Sequence, residues 1–114
     1  MILQVDGDSI AHNMGTANTS SAATALPTLK NGDPAKYVHC SVQALATFNP
    51  VGFIRFGTSD VSDVSTGGDN SIAIYSKGDG IVFNVSGCSH FKTMCSGNSV
   101  DMKITPIGSI AGSS

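Results

Sequence analysis

Residues 37–57 constrain the fold more than any other stretch. Val38, Cys40, Val42 and Ala44 alternate with His39, Ser41 and Gln43. Every second side chain therefore points the same way, as in a strand with one buried and one wet face. Phe48-Asn49-Pro50-Val51-Gly52 interrupts the alternation with turn chemistry, and Phe53-Ile54-Arg55-Phe56-Gly57 resumes it. The stretch reads as two strands joined by a short loop, at the centre of a small sandwich core.

The rest of the chain repeats this grammar. Ser71-Ile72-Ala73-Ile74-Tyr75 is a strand, and Lys77-Gly78-Asp79-Gly80 is a tight hairpin turn in which glycine supplies positive φ. Ile81, Phe83 and Val85 share one face of the returning strand, and Ser86-Gly87 turns the chain again. A further strand covers 89–94, and Ser96-Gly97-Asn98 closes a second hairpin. Val100, Met102 and Ile104 alternate with Asp101, Lys103 and Thr105 in the clearest strand of all, which Pro106 is expected to end. Strands thus recur about every ten residues with turn signals between them, the spacing of a sandwich or barrel. Composition agrees. Charged residues are 12% of the chain, about half the usual share, and all eight acids are Asp. Ser, Thr, Asn, Asp and Gly, the residues of turns and strand surfaces, dominate. No helical stripe occurs. The expected fold is all-β, a compact β-sandwich or jelly-roll-like domain with an extended N-terminal arm.

The organisation follows. Residues 1–36 are an arm and lead-in loop, 37–107 the β-sandwich domain, and 108–114 a polar tail. Ile2, Leu3 and Val5 are suited to a short strand, and Asp6-Gly7-Asp8 is a turn signal. From His12 to Thr24 the chain is nearly all small and polar, too poor in apolar surface to offset its own ordering. Such an arm is expected to be held by a neighbouring subunit, the alternative being that it wraps over its own domain. Its apolar residues Ile2, Leu3, Val5, Leu26 and Leu29 are candidate interface contacts. Arg55, the only arginine, joins them, since arginine is enriched at interfaces; the plainer reading is a rim guanidinium whose stem packs on its neighbours. Deleting residues 1–24 is expected to leave a folded domain that no longer binds.

Reactive groups are scarce. Asp6 with Asp8, and Asp60 with Asp63, offer paired carboxylates but fit no calcium loop, and turn chemistry accounts for them. Cys88-Ser89-His90 with Cys95, or His39 beside Cys40, raises zinc, but no Cys-x-x-Cys pair exists and adjacent strand residues face apart. No Gly-x-Ser-x-Gly elbow occurs, and Gly67-Gly68 lies in a polar loop rather than at a helix start. The expectation is a protein that is not an enzyme and uses no metal or cofactor. Three cysteines, Cys40, Cys88 and Cys95, do not describe a disulfide framework. A net charge of −2 with no basic run argues against nucleic acid. No segment reaches the roughly 20 apolar residues of a membrane helix. The N-terminus lacks a secretory pattern, which places synthesis in a cytoplasm.

Ala25-Leu26-Pro27, Tyr37-Val38 opening a strand, Phe53-Ile54-Arg55-Phe56-Gly57, the apolar 81–85 strand before Gly87, and Ile104-Thr105-Pro106-Ile107 occur in that order. This order resembles the small virion structural proteins of tailed bacteriophages, over roughly residues 25–107. The resemblance rests on packing motifs and carries no catalytic residue across. It implies a capsid cement or decoration protein: a β-sandwich that binds the major capsid protein, stabilises the phage head by bridging its subunits, and forms a homotrimer at symmetry axes. It leaves residues 1–24 and the loop 58–70 unexplained. A head–tail or tail-associated virion protein is the alternative within that class. A carbohydrate- or receptor-binding module is a second, disfavoured because Trp is absent and Tyr37 and Tyr75 are the only tyrosines.

Overall fold

The structure, a computed structural model, describes residues 2–14, 20–42, 51–64, 72–75, 80–96 and 101–111. It is all-β. Among the described residues nine strands run in chain order: β1 (Ile2–Val5), β2 (Ile10–Asn13), β3 (Thr24–Ala25), β4 (Tyr37–Val42), β5 (Val51–Gly57), β6 (Ile72–Tyr75), β7 (Ile81–Asn84), β8 (His90–Ser96) and β9 (Asp101–Ala111). They form two antiparallel sheets. One has the order β1-β9-β4-β7, with β2 also on β9; the other is β3-β8-β5-β6.

The alternation at residues 37–42 appears as strict burial of Val38, Cys40 and Val42, with His39 and Ser41 half-exposed. β4 and β5 do not pair. Each is an interior strand of its own sheet, so the stretch that dominates the sequence supplies the middle of both layers. Between the layers lie Val38, Cys40, Met102, Ile104 and Phe83 from the first sheet and Ile54, Ile74, Phe91 and Cys95 from the second. Fully burying a side chain of this size is worth about 1.5–3 kcal/mol. The rings of Phe56 and Phe83 meet across the gap at 5.0 Å.

Two expected hairpins are corrected. β6 pairs with β5 whereas β7 pairs with β4, and β8 pairs with β5 whereas β9 pairs with β4. Both connections therefore cross between sheets. A glycine-rich turn marks a reversal of direction, not the sheet that receives the next strand. Residues 76–79 and 97–100 lie outside the described residues.

Pro106 does not end its strand. β9 continues to Ala111. The Pro106 carbonyl accepts the Asp6 N–H at 3.2 Å, so its nitrogen faces that same edge, opposite the turn between β1 and β2. No ladder bond is demanded there, and the missing N–H costs little.

The N-terminal segment is built into the fold. β1 and β2 lie end to end along the outer edge of β9, with Ile2 opposite Ala111 and Asn13 opposite Asp101. Met14 is fully buried in the core. Residues 2–5 and 10–13, assigned from sequence to an arm, are thus strands of the first sheet, and 109–111, assigned to a tail, pair with β1. The physical reason is the length of β9: eleven residues present an edge that the polar N-terminal stretch satisfies through its backbone. The segment after residue 20 lies along β8, with Ser21 N–H donating to the Thr93 carbonyl at 2.7 Å and Leu26 N–H to the Ser89 carbonyl at 2.9 Å. Residues 15–19 lie outside the described residues.

Candidate docking face

The outward side of the first sheet carries a shallow groove of about 370 Å³ lined by Leu3, Val5, Ser9, His39, Lys103 and Thr105, with Ile107 at its floor. Strand register assembles it. His39 lies opposite Thr105 between β4 and β9, and Val5 opposite Ile107 between β1 and β9. From Gln4↔Ser109 the register steps to Val5↔Ile107, a bulge that skips Gly108. A side chain at 108 would come within 2.8 Å of the Asp6 Cβ, so glycine lets the β1–β2 turn close over the bulge. Ser9 Oγ and Thr105 Oγ1 share a hydrogen bond of 2.8 Å across this edge. Ile107 is 1% exposed and Val5 is 60% exposed. The groove thus has a fixed floor, an apolar rim and an exposed ammonium at Lys103.

The sequence-derived contact residues do not converge. Leu3 and Val5 line the groove. Ile2 belongs to the same strand, opposite Ala111. Leu26 and Leu29 pack against the core as half-buried residues, so much of their apolar surface is already used. Arg55 lies on the outward side of the other sheet, opposite Lys92. Lys92 Nζ contacts Asp63 Oδ1 at 2.8 Å, and among the described residues no carboxylate pairs with Arg55. Ser9, Lys103, Thr105 and Ile107 escape the sequence reading. Their only signal is the period of two shared by residues 9–13 and 101–107, diluted at the N-terminus by small side chains.

The reactive groups are drawn into local structure. Ser89 Oγ and His90 Nδ1 are 2.8 Å apart, an exposed contact between neighbours in sequence. Among the described residues no carboxylate orients that ring, as nucleophilic catalysis would require. His12 points inward, with Nε2 at 2.8 Å from Thr93 Oγ1 and its ring edge-on to Phe91 at 4.8 Å. Burial lowers its pKa below the ordinary value, and the charge of Asp101 opposes this in part. Cys40 is fully buried, which pushes its thiol up to about 12. All three cysteines are free thiols. Among the described residues no group of three His, Cys, Asp or Glu side chains is placed to hold a metal ion, and no helix is long and apolar enough to cross a membrane.

No protein-family model, curated protein or solved structure matches this chain.

Proposed function

We propose that this chain is a non-enzymatic structural protein of a tailed-phage head, a cement or decoration subunit that binds the major capsid protein. The observation that carries the reading is the groove on the outward side of the β1-β9-β4-β7 sheet. There a 60% exposed valine, a half-buried leucine and an exposed lysine line one groove on an antiparallel sheet. An exposed apolar side chain on a groove rim that also carries an exposed ammonium suits a docking surface better than a reaction centre. The strand resemblance supplies the viral context, and a homotrimer at a three-fold position follows from that context. The role is exercised in the virion after assembly in the host cytoplasm, without nucleic acid, membrane or cofactor.

The test is co-sedimentation of the purified protein with empty phage shells. The wild-type chain is expected to pellet saturably with the shells. Val5→Asp, which places a carboxylate on an exposed edge-strand position, is expected to fold normally and lose binding at least tenfold. Equal binding of the two proteins would contradict this docking face, and no binding by either would contradict the role.

A further inference from the structure

We propose that His12 is an acid-operated latch: on taking up a proton it lets β2 and the segment 20–25 come away from the sandwich while the rest of both sheets stays folded.

The geometry is a hydrogen-bonded chain through three pieces of structure. His12 on β2 meets Thr93 on β8 of the opposite sheet at 2.8 Å. Thr93 Oγ1 donates to Ser21 Oγ at 3.4 Å, and Ser21 Oγ donates to the Ala22 carbonyl at 3.1 Å. The Thr93 N–H also donates to Ser21 Oγ at 3.0 Å. This direction leaves the Thr93 oxygen to accept from His12, so the neutral ring carries its proton on Nε2 and a second proton enters at Nδ1. The new charge would sit on a half-buried ring beside fully buried Phe91 and Thr93, with fully buried Met102 opposite in the strand register.

Little compensates it. From β8 the ring is faced by Phe91 and Thr93, neither of them charged. The segment 20–25 and the rest of β2 contain no ionisable side chain. On β9, Asp101 pairs with Asn13 at 3.1 Å. Asn13 neighbours the inward-pointing His12 in β2 and so faces outward, which makes the Asp101 field act across the sheet. The cheapest relief is local. Among the described residues β2 pairs only with β9 and β3 only with β8, so both can leave while the β4–β7, β4–β9, β5–β6 and β5–β8 pairings stay intact.

The sign follows from linkage. A released ring titrates near its ordinary value of 6.5, and the buried ring lower. Opening therefore takes up a proton. The opening constant rises about tenfold per pH unit as pH falls below the released value, and levels once the buried ring is itself protonated.

Amide hydrogen exchange of the full chain between pH 7.5 and 4.5, corrected for intrinsic rates, tests this. The amides of β2 and of the segment 20–25 are expected to lose at least tenfold in protection toward acid while those of β4 and β5 keep theirs. His12→Gln, which can still donate to Thr93 but cannot titrate, is expected to flatten the dependence, and His39→Gln and His90→Gln to preserve it. Should His12→Gln fail to fold, the wild-type His12 ring signal followed by NMR must titrate over the same range as the loss of protection. Protection of β2 that ignores pH, or falls together with that of β4 and β5, would overturn the proposal. So would a dependence that survives in His12→Gln, or a ring titration outside the opening range.

Discussion

Ser9 and Thr105 hydrogen-bond through their hydroxyls at 2.8 Å although 96 positions separate them in the chain. The contact fastens the first residues to the strand that closes the sequence. It makes the N-terminal segment a structural part of the first sheet.

Deleting residues 1–14 is therefore expected to abolish cooperative unfolding, because it removes β1, β2 and the fully buried Met14 together. Met14→Ala alone is expected to cost about 2–5 kcal/mol, the range for emptying a core methionine site. Chemical denaturation followed by circular dichroism measures both. A truncated chain with an unchanged midpoint would return these residues to the status of a free arm.

Gly80 and Gly87 separate two costs of replacing a glycine. Both have positive φ, +83° and +82°. A Cβ at Gly80 would lie 2.5 Å from the Cys40 carbonyl oxygen, whereas nothing approaches one at Gly87 within 4 Å. Gly87→Ala is expected to cost about 1 kcal/mol, the conformational penalty alone. Gly80→Ala adds a backbone clash and should lose about 1–3 kcal/mol more. Equal denaturation midpoints for the two variants would show that the approach of residue 80 to β4 is looser than described.

The thiols should divide by burial. Cys40 and Cys95 are fully buried, and Cys88 is half-buried at a surface cleft. The Cys40 thiol, pushed up to about 12, is protonated at ordinary pH. At pH 8 a thiol reagent is expected to label Cys88 first, and Cys40 only after denaturant is added. Rapid labelling of Cys40 in the native protein would contradict its position between the sheets.

Two polar contacts should differ in weight. Thr93→Val leaves Nε2 of the half-buried His12 without its acceptor and is expected to cost about 1–3 kcal/mol. Asp63→Asn breaks the pair with Lys92, whose carboxylate side is 78% exposed, and should change stability by less than about 1 kcal/mol. Thermal unfolding of the two variants ranks them, and the reverse order would contradict the inter-sheet role of Thr93.

The parts of the fold that can be read in the sequence are those where apolar residues alternate strongly. Val38-Cys40-Val42 and Met102-Ile104 announce β4 and β9, and the turn at Ser86-Gly87 is found where expected. Membership of a sheet is another matter. Apart from β5 and β6, paired strands are not neighbours in the chain, and no local signal states that β7 joins β4 while β8 joins β5. Pro106 misleads because its effect depends on which edge its nitrogen faces. The N-terminal strands are obscured because Ile10, His12 and Met14 share their stretch with small polar residues, and the long edge of β9 holds them. Of the docking face, Leu3 and Val5 are visible as isolated apolar residues. Lys103, Thr105 and Ile107 share one face of β9 by the period of two, but only the bulge at Gly108 and the register with β1 bring Leu3 and Val5 beside them.

The most direct measurement for the proposed role is the copy number of the chain in purified particles of a tailed phage whose genome carries its coding sequence, by quantitative mass spectrometry against the major capsid protein. A cement subunit should occur in a fixed whole-number ratio to the capsid lattice. A handful of copies per particle, or none at all, would contradict it.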